Sequence, residues 1–141
     1  MLEQAQHRLA IDTEGPGFTD LTSSVAAWLT SIRASDGLLT LFVRHTSASL
    51  TIQENADPAV LRDLAEALER AAPRGHRYHH SIEGPDDMPA HIKAMLTATT
   101  LGIPVSAGKA VLGTWQAIYL IEHRDRPHRR EVALHYVGTR S

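Results

Sequence analysis

The run Leu38-Leu39-Thr40-Leu41-Phe42-Val43-Arg44-His45-Thr46-Ser47-Ala48-Ser49-Leu50-Thr51-Ile52-Gln53-Glu54-Asn55 holds two blocks of strand formers separated by a few polar residues. Residues 38–44 and 47–53 therefore read as strands on either side of His45. The junction between these two is left open, while several of the chain's strands read as joined in hairpins. With about three helices they indicate an α+β fold, a single compact domain on a mixed or antiparallel sheet, rather than a doubly wound parallel sheet. At a period of two, His45, Ser47, Ser49 and Thr51 project to one face while Leu50 and Ile52 go to the other. One face is chemical and the other is core.

Working outward toward the N-terminus, residues 5–12 alternate, with Ala5, His7, Leu9 and Ile11 on one side, and predict a first strand before the Gly15-Pro16-Gly17 break. From Asp20 to Ile32 the period changes: Val25, Trp28, Leu29 and Ile32 recur at helical spacing, and Asp36-Gly37 predicts a turn. On the other side, Asp57-Pro58 is a helix start, because Asp accepts from free backbone amides and Pro at the first helical position sacrifices none. Leu61, Leu64, Ala65 and Leu68 form its expected buried stripe, and Pro73 and Gly75 end it. Asp87-Met88-Pro89 repeats this start, with Ile92, Met95, Leu96 and Thr99 expected inside. The last third predicts strands over 103–106, 111–123 and 132–137, with a turn near Gly108. The 111–123 strand is apolar on both faces, so one of them is expected to pack on another subunit.

At 141 residues, 43% hydrophobic and 21% charged, the composition is that of one ordinary globular domain spanning 1–141. A formal charge of -2, with basic residues scattered, gives no footprint for nucleic acid. No apolar run approaches the roughly 20 residues that span a bilayer, and the start lacks the pattern of a signal peptide. A cytoplasmic location is the expectation. There is no cysteine, so any metal must be held by nitrogen and oxygen. There are nine histidines, and His7, His76, His128 and His135 read as solvated or packed side chains rather than as ligands.

Three segments concentrate chemistry. His45, Ser47, Ser49, Glu54 and Asn55 offer a base or ligand, hydroxyls for phosphate oxygens and a carboxylate; turn chemistry and an ordinary half-exposed strand explain them equally well. Asp87, His91 and Lys93 lie at a helix start, where free amides and the dipole favour anions. Each alone is more simply a cap, a boundary residue or a solvated charge. Thr114, Gln116 and Glu122 are predicted on one strand face in an otherwise apolar run and should line a pocket, since unpaired buried polar groups are costly. His123, Asp125, Arg129 and Arg130 follow as a polar loop where a charged ligand can be met. Phosphate-loop, dinucleotide-fingerprint, nucleophile-elbow and H-E-x-x-H patterns are absent.

Taken jointly, His45-Thr46-Ser47-Ala48-Ser49-Leu50, Glu54-Asn55-Ala56-Asp57-Pro58, Asp86-Asp87-Met88-Pro89-Ala90-His91-Ile92-Lys93 and Leu112-Gly113-Thr114-Trp115-Gln116 resemble the YjbQ family, whose members are often labelled secondary thiamine-phosphate synthases. The resemblance runs nearly end to end. It implies a compact α+β subunit that forms a homotrimer with pockets near subunit contacts. It also implies an enzyme joining hydroxymethylpyrimidine diphosphate to thiazole phosphate with release of diphosphate. On that basis His45, Glu54, His91 and Gln116 are the expected catalytic residues. Ser47, Ser49, Asn55, Asp87, Lys93, Thr114 and Glu122 are expected to bind substrate, and His45, His91 and Asp125 to hold a divalent metal, magnesium or zinc. Two other readings stand beside it: a metal-dependent enzyme for another small phosphorylated or anionic molecule, and a non-catalytic anion-binding module. The chain departs from the family at Ala98 and Thr100, where Gly and Ser are usual, and at Ala117, where Gly usually follows Trp-Gln.

Overall fold

The computed structural model describes residues 1–141. Eight strands and three helices run in the order β1 (Glu3–Thr13), β2 (Gly17–Asp20), α1 (Thr22–Ser31), β3 (Ala34–Val43), β4 (Ala48–Glu54), α2 (Pro58–Ala71), α3 (Asp87–Leu96), β5 (Thr100–Ser106), β6 (Lys109–Ala110), β7 (Gln116–Glu122) and β8 (His128–Arg140). They form two antiparallel sheets, β1-β8-β3-β5-β6 and β2-β7-β4. The α+β expectation holds, and the mixed-sheet alternative gives way to antiparallel pairing throughout.

Leu39, Leu41 and Val43 of β3 and Leu134 and Tyr136 of β8 meet Leu50 of β4 and Ile118 and Leu120 of β7 in one buried cluster. Val25, Trp28 and Leu29 of α1 close it, at the spacing that predicted that helix. The other face of the three-stranded sheet carries Phe18, Ser49, Ile121 and His123 and is covered by α2 and α3.

The open junction after β3 is not a hairpin, because β3 and β4 belong to different sheets and residues 44–47 carry the chain between them. Several boundaries differ from expectation for physical reasons. Asp36-Gly37 is not a turn: it sits within β3 at an irregularity in the pairing with β8. The residues ahead of α1 form β2, whose Asp20 pairs with Tyr119, so the helix begins at Thr22. The 111–123 run contributes a strand only from Gln116 onward, and Trp115 lies outside it, 63% exposed. Helix α3 turns Pro89, Ala90, Lys93 and Ala94 inward and leaves Met95 and Leu96 exposed, the reverse of its apolar reading.

Candidate functional site

β4 and β7 pair from Ala48 opposite Glu122 to Glu54 opposite Gln116. At about 3.4 Å per residue this ladder separates the expected site residues by about 20 Å. Glu54, Asn55, Thr114 and Gln116 gather at one end. Gln116 is exposed there, and its Oε1 accepts from Gly113 N at 2.7 Å. Ser47, Ser49 and Glu122 lie at the other end, where His45, Asp87, His91, Lys93 and Asp125 join them. Gln116 and Glu122 do share one face of β7, but at opposite ends of the strand with Ile118 and Leu120 between them, and Thr114 precedes the strand, so the three do not line one pocket.

Glu122 belongs to a closed network. Arg130 Nε donates to its Oε1 at 2.7 Å, and Arg130 Nη2 donates to its other oxygen. Thr13 Oγ1 donates at 2.7 Å and Arg124 N at 3.1 Å. Burial pushes the Glu122 carboxyl up, but the Arg130 and Thr13 hydrogen bonds outweigh it and hold the carboxyl below its ordinary value. Arg130 Nη2 also donates to the carbonyl and hydroxyl of Ser47 at 3.2 and 3.1 Å. His45 Nε2 accepts from Glu131 N at 2.9 Å, and burial, reinforced by Arg130, lowers its pKa. Glu122, Ser47 and His45 thus have their hydrogen bonds spent inside the fold. Arg130, expected in a polar loop, is a buried residue of β8 and the hub of this network.

The second group faces a cleft of about 420 Å³ between α2 and the three-stranded sheet, lined by Phe18, Leu68, Glu69, Lys93, Ile121 and His123 among others. Asp57 caps α2 by accepting from Ala59 N at 2.9 Å. The leucine stripe of α2 is only half-buried, because the cleft runs beneath it. Lys93 is 5% exposed, and its Nζ donates to Glu69 on α2. The Ser49 hydroxyl stands 2.8 Å from His123 Nε2 and 2.5 Å from the Thr97 hydroxyl. Burial, with the Lys93 charge adding to it, brings the His123 pKa down to about 4, so the ring is neutral at pH 7.

The third group joins the start of α3 to the exit of β7. Arg124 donates from Nε to Asp86 Oδ2 at 2.8 Å and from Nη1 to Asp87 Oδ1 at 2.7 Å. Asp125 N also donates to Asp86 Oδ2, at 2.9 Å. Burial of Asp86 acts upward, but Arg124 and the backbone donors overcome it and lower the carboxyl to about 2. Asp87 Oδ2 lies 2.6 Å from His80 Nε2 and 3.1 Å from His91 Nε2. Both Asp125 oxygens bond Arg74, whose hydrogen bond lowers the Asp125 pKa. The expected metal set of His45, His91 and Asp125 therefore does not converge: His45 faces Glu131 and Arg130, Asp125 faces Arg74, and His91 meets His80 and Asp87 instead.

Sequence reasoning missed His80, Arg124 and Asp86 as site residues. His80 sits between α2 and α3, where no period marks it. The double acid Asp86-Asp87 was the available signal for a buried cationic partner, and the separation of Arg124 along the chain concealed which cation answers it.

The family profile described as UPF0047 protein YjbQ-like matches residues 7–139. A UPF0047 protein of Synechocystis is 52% identical over 136 residues, covering 96% of this chain and 92% of that one. The UPF0047 protein YjbQ of Escherichia coli O157:H7 is 42% identical, covering 84% and 87% respectively. Among solved structures, a YbjQ-like protein of unknown function from Sulfolobus solfataricus superposes with a TM-score of 0.92 over 99% of this chain and 100% of its own; at 21% identity it supports the fold alone. A conserved hypothetical protein of Thermus thermophilus is 38% identical with a TM-score of 0.80, covering 91% of this chain and 97% of its own. With the fold, the four sequence blocks and relatives of this identity in agreement, the chain belongs to the UPF0047 YjbQ-like family.

Proposed function

We propose that the protein is an enzyme acting on a small phosphorylated or otherwise anionic metabolite held against Lys93. One observation carries this reading: a lysine only 5% exposed borders the 420 Å³ cleft, and its carboxylate partner Glu69 stands on the half-exposed helix α2. A ligand's anionic group can take the place of Glu69 on the ammonium without any change in the core. Neutral His123 lines the same cleft, held in place by the buried Ser49 hydroxyl, which the Thr97 hydroxyl in turn bonds, and supplies a proton-transfer group nearby.

The family resemblance gives this reading its finer form, synthesis of thiamine phosphate. A thiazole ring nitrogen attacks the methylene carbon of hydroxymethylpyrimidine diphosphate, the carbon–oxygen bond breaks, and its electron pair leaves with diphosphate. No redox partner is required, and a fixed cation at the departing oxygens stabilises the developing charge. We place the enzyme in a homotrimer, as the resemblance implies.

The test is thiamine phosphate formation from these two substrates by the wild type and by Lys93→Met, with circular dichroism to check folding. A loss of about 100-fold in kcat/KM is expected, the scale on which removal of a single transition-state donor acts. Wild-type protein that makes no thiamine phosphate rules out the synthase form. Diphosphate binding that Lys93→Met abolishes, without any turnover, points to an anion-binding module.

A further inference from the structure

Asp87 and His91 are one helical turn apart at the start of α3, and the chain between α2 and α3 folds His80 back over them. One ligand atom from each of these three residues converges, all within 4.8 Å of one another. Two features go beyond proximity. His91 Nδ1 lies 3.1 Å from the carbonyl oxygen of Thr46, which can only accept, so this nitrogen carries the ring proton. His91 Nε2 then turns a lone pair toward Asp87 Oδ2 at 3.1 Å. Two acceptors facing each other at that distance need a positive centre between them.

The carboxylate is also fixed on its far side. Asp87 is 6% exposed, and its Oδ1 is held by Arg124, which in turn bonds Asp86 and the Glu83 carbonyl. That arrangement turns Oδ2 toward the two imidazoles, 2.6 Å from His80 Nε2 and 3.1 Å from His91 Nε2. Such outer hydrogen bonds, one to a carboxylate and one to the imidazole nitrogen not used as a ligand, are the usual supports of metal ligands. The His80 and His91 side chains are 40% and 33% exposed, so the cluster opens to solvent on one side. Two imidazoles and one carboxylate with an open position form the ligand set of a catalytic zinc or a related first-row divalent ion.

We propose that His80 Nε2, Asp87 Oδ2 and His91 Nε2 bind one divalent transition-metal ion, zinc by preference, with the remaining coordination position left to water or to a ligand's anionic oxygen. His80 is the residue that makes this a site. The assignment stands on these three residues and their supports and is independent of the Lys93 cleft.

Tag-free protein is stripped with a chelator, dialysed, and titrated with zinc against a fluorescent competitor and with cobalt by visible absorption. One equivalent per chain is expected, with the cobalt complex showing the absorption of a low-coordinate nitrogen and oxygen site. His80→Ala, a change at a side chain 40% exposed, is expected to weaken binding at least about 100-fold, and Arg124→Met about 10- to 100-fold through loss of the outer hydrogen bond. His76→Ala, which removes another exposed imidazole nearby, should leave affinity unchanged. Failure of the wild type to bind stoichiometrically overturns the site and leaves a protonated imidazole as the positive centre. Unchanged affinity in His80→Ala overturns it equally. Neither readout involves catalysis, so loss of the Lys93 reading leaves this test intact.

Discussion

His123 shows how one buried side chain writes a pH dependence into the fold. Its ring is 3% exposed and bonded to Ser49, and its folded pKa of about 4 lies below the ordinary 6.5. As pH falls below 6.5 the unfolded chain takes up a proton that the folded chain refuses. Stability is therefore full above pH 6.5 and declines toward pH 4, by about 3 kcal/mol at most, before levelling off. Asp86 acts in a separate window. Its folded pKa of about 2 lies below the ordinary 3.8, because Arg124 and the backbone donors outweigh burial, so a net stabilisation of about 2 kcal/mol is present above 3.8 and lost as pH falls to 2. Urea midpoints for wild type and His123→Gln at pH 7, 5 and 4 test the first window. The variant should lose much of the decline between pH 6.5 and 4; a decline equal to that of the wild type would assign the acid sensitivity to other groups.

Among the elements, β3 and β8 are in close approach where Gly37 pairs with Gly138. A Cβ on Gly37 would lie 2.3 Å from the Val137 carbonyl oxygen and 2.6 Å from Gly138 Cα. Both are backbone atoms of a central strand that is paired on both sides, so neither can yield cheaply. Gly37→Ala is expected to destabilise by about 2 to 3 kcal/mol, whereas Gly102→Ala, whose nearest neighbour is Leu38 Cδ1 at 3.9 Å, should stay within about 0.5 kcal/mol. Chemical denaturation of the two variants decides this, and equal effects would remove the steric account. The same crossing explains the misread turn. Asp-Gly favours a turn locally, but Asp36 Oδ1 accepts from Ala107 N at 2.9 Å and its backbone N donates to Thr139 Oγ1 at 3.1 Å, partners far along the chain. Where local signals and tertiary contacts agree, as in α1, in α2 with its Asp57 cap and in the strands at 38–44 and 47–53, periodicity alone was sufficient. It failed at α3, because Asp87 and Lys93 are drawn inward by Arg124 and Glu69, charges that no pattern within the helix reveals. The candidate site was legible as residue types and illegible as groupings: the strand ladder that divides it is a property of register.

At the scale of the whole molecule, no helix is long and apolar enough to cross a membrane, and apolar side chains remain uncovered at several places besides Met95 and Leu96 of α3. Leu38 and Val137 are register partners on the outer face of the five-stranded sheet, with Phe42 further along, and all three are 40–49% exposed. Trp115, 63% exposed, lies at the Glu54–Gln116 end of the β4–β7 ladder, where its carbonyl accepts from Asn55 N at 2.9 Å, and Val111 is 56% exposed. A two-fold dimer needs one self-complementary patch, whereas a closed ring needs two different patches that meet head to tail. We propose that the homotrimer would use both, with the sheet face of one copy against the Trp115 edge of the next. Native mass spectrometry should give three times the 15.5 kDa chain mass. Phe42→Asp and Trp115→Asp should each reduce this to the monomer. Because each variant damages only one half of the contact, mixing them restores a single intact junction and should yield a heterodimer that cannot close. A monomeric wild type defeats the ring, and a trimer that survives Trp115→Asp removes that edge from the contact.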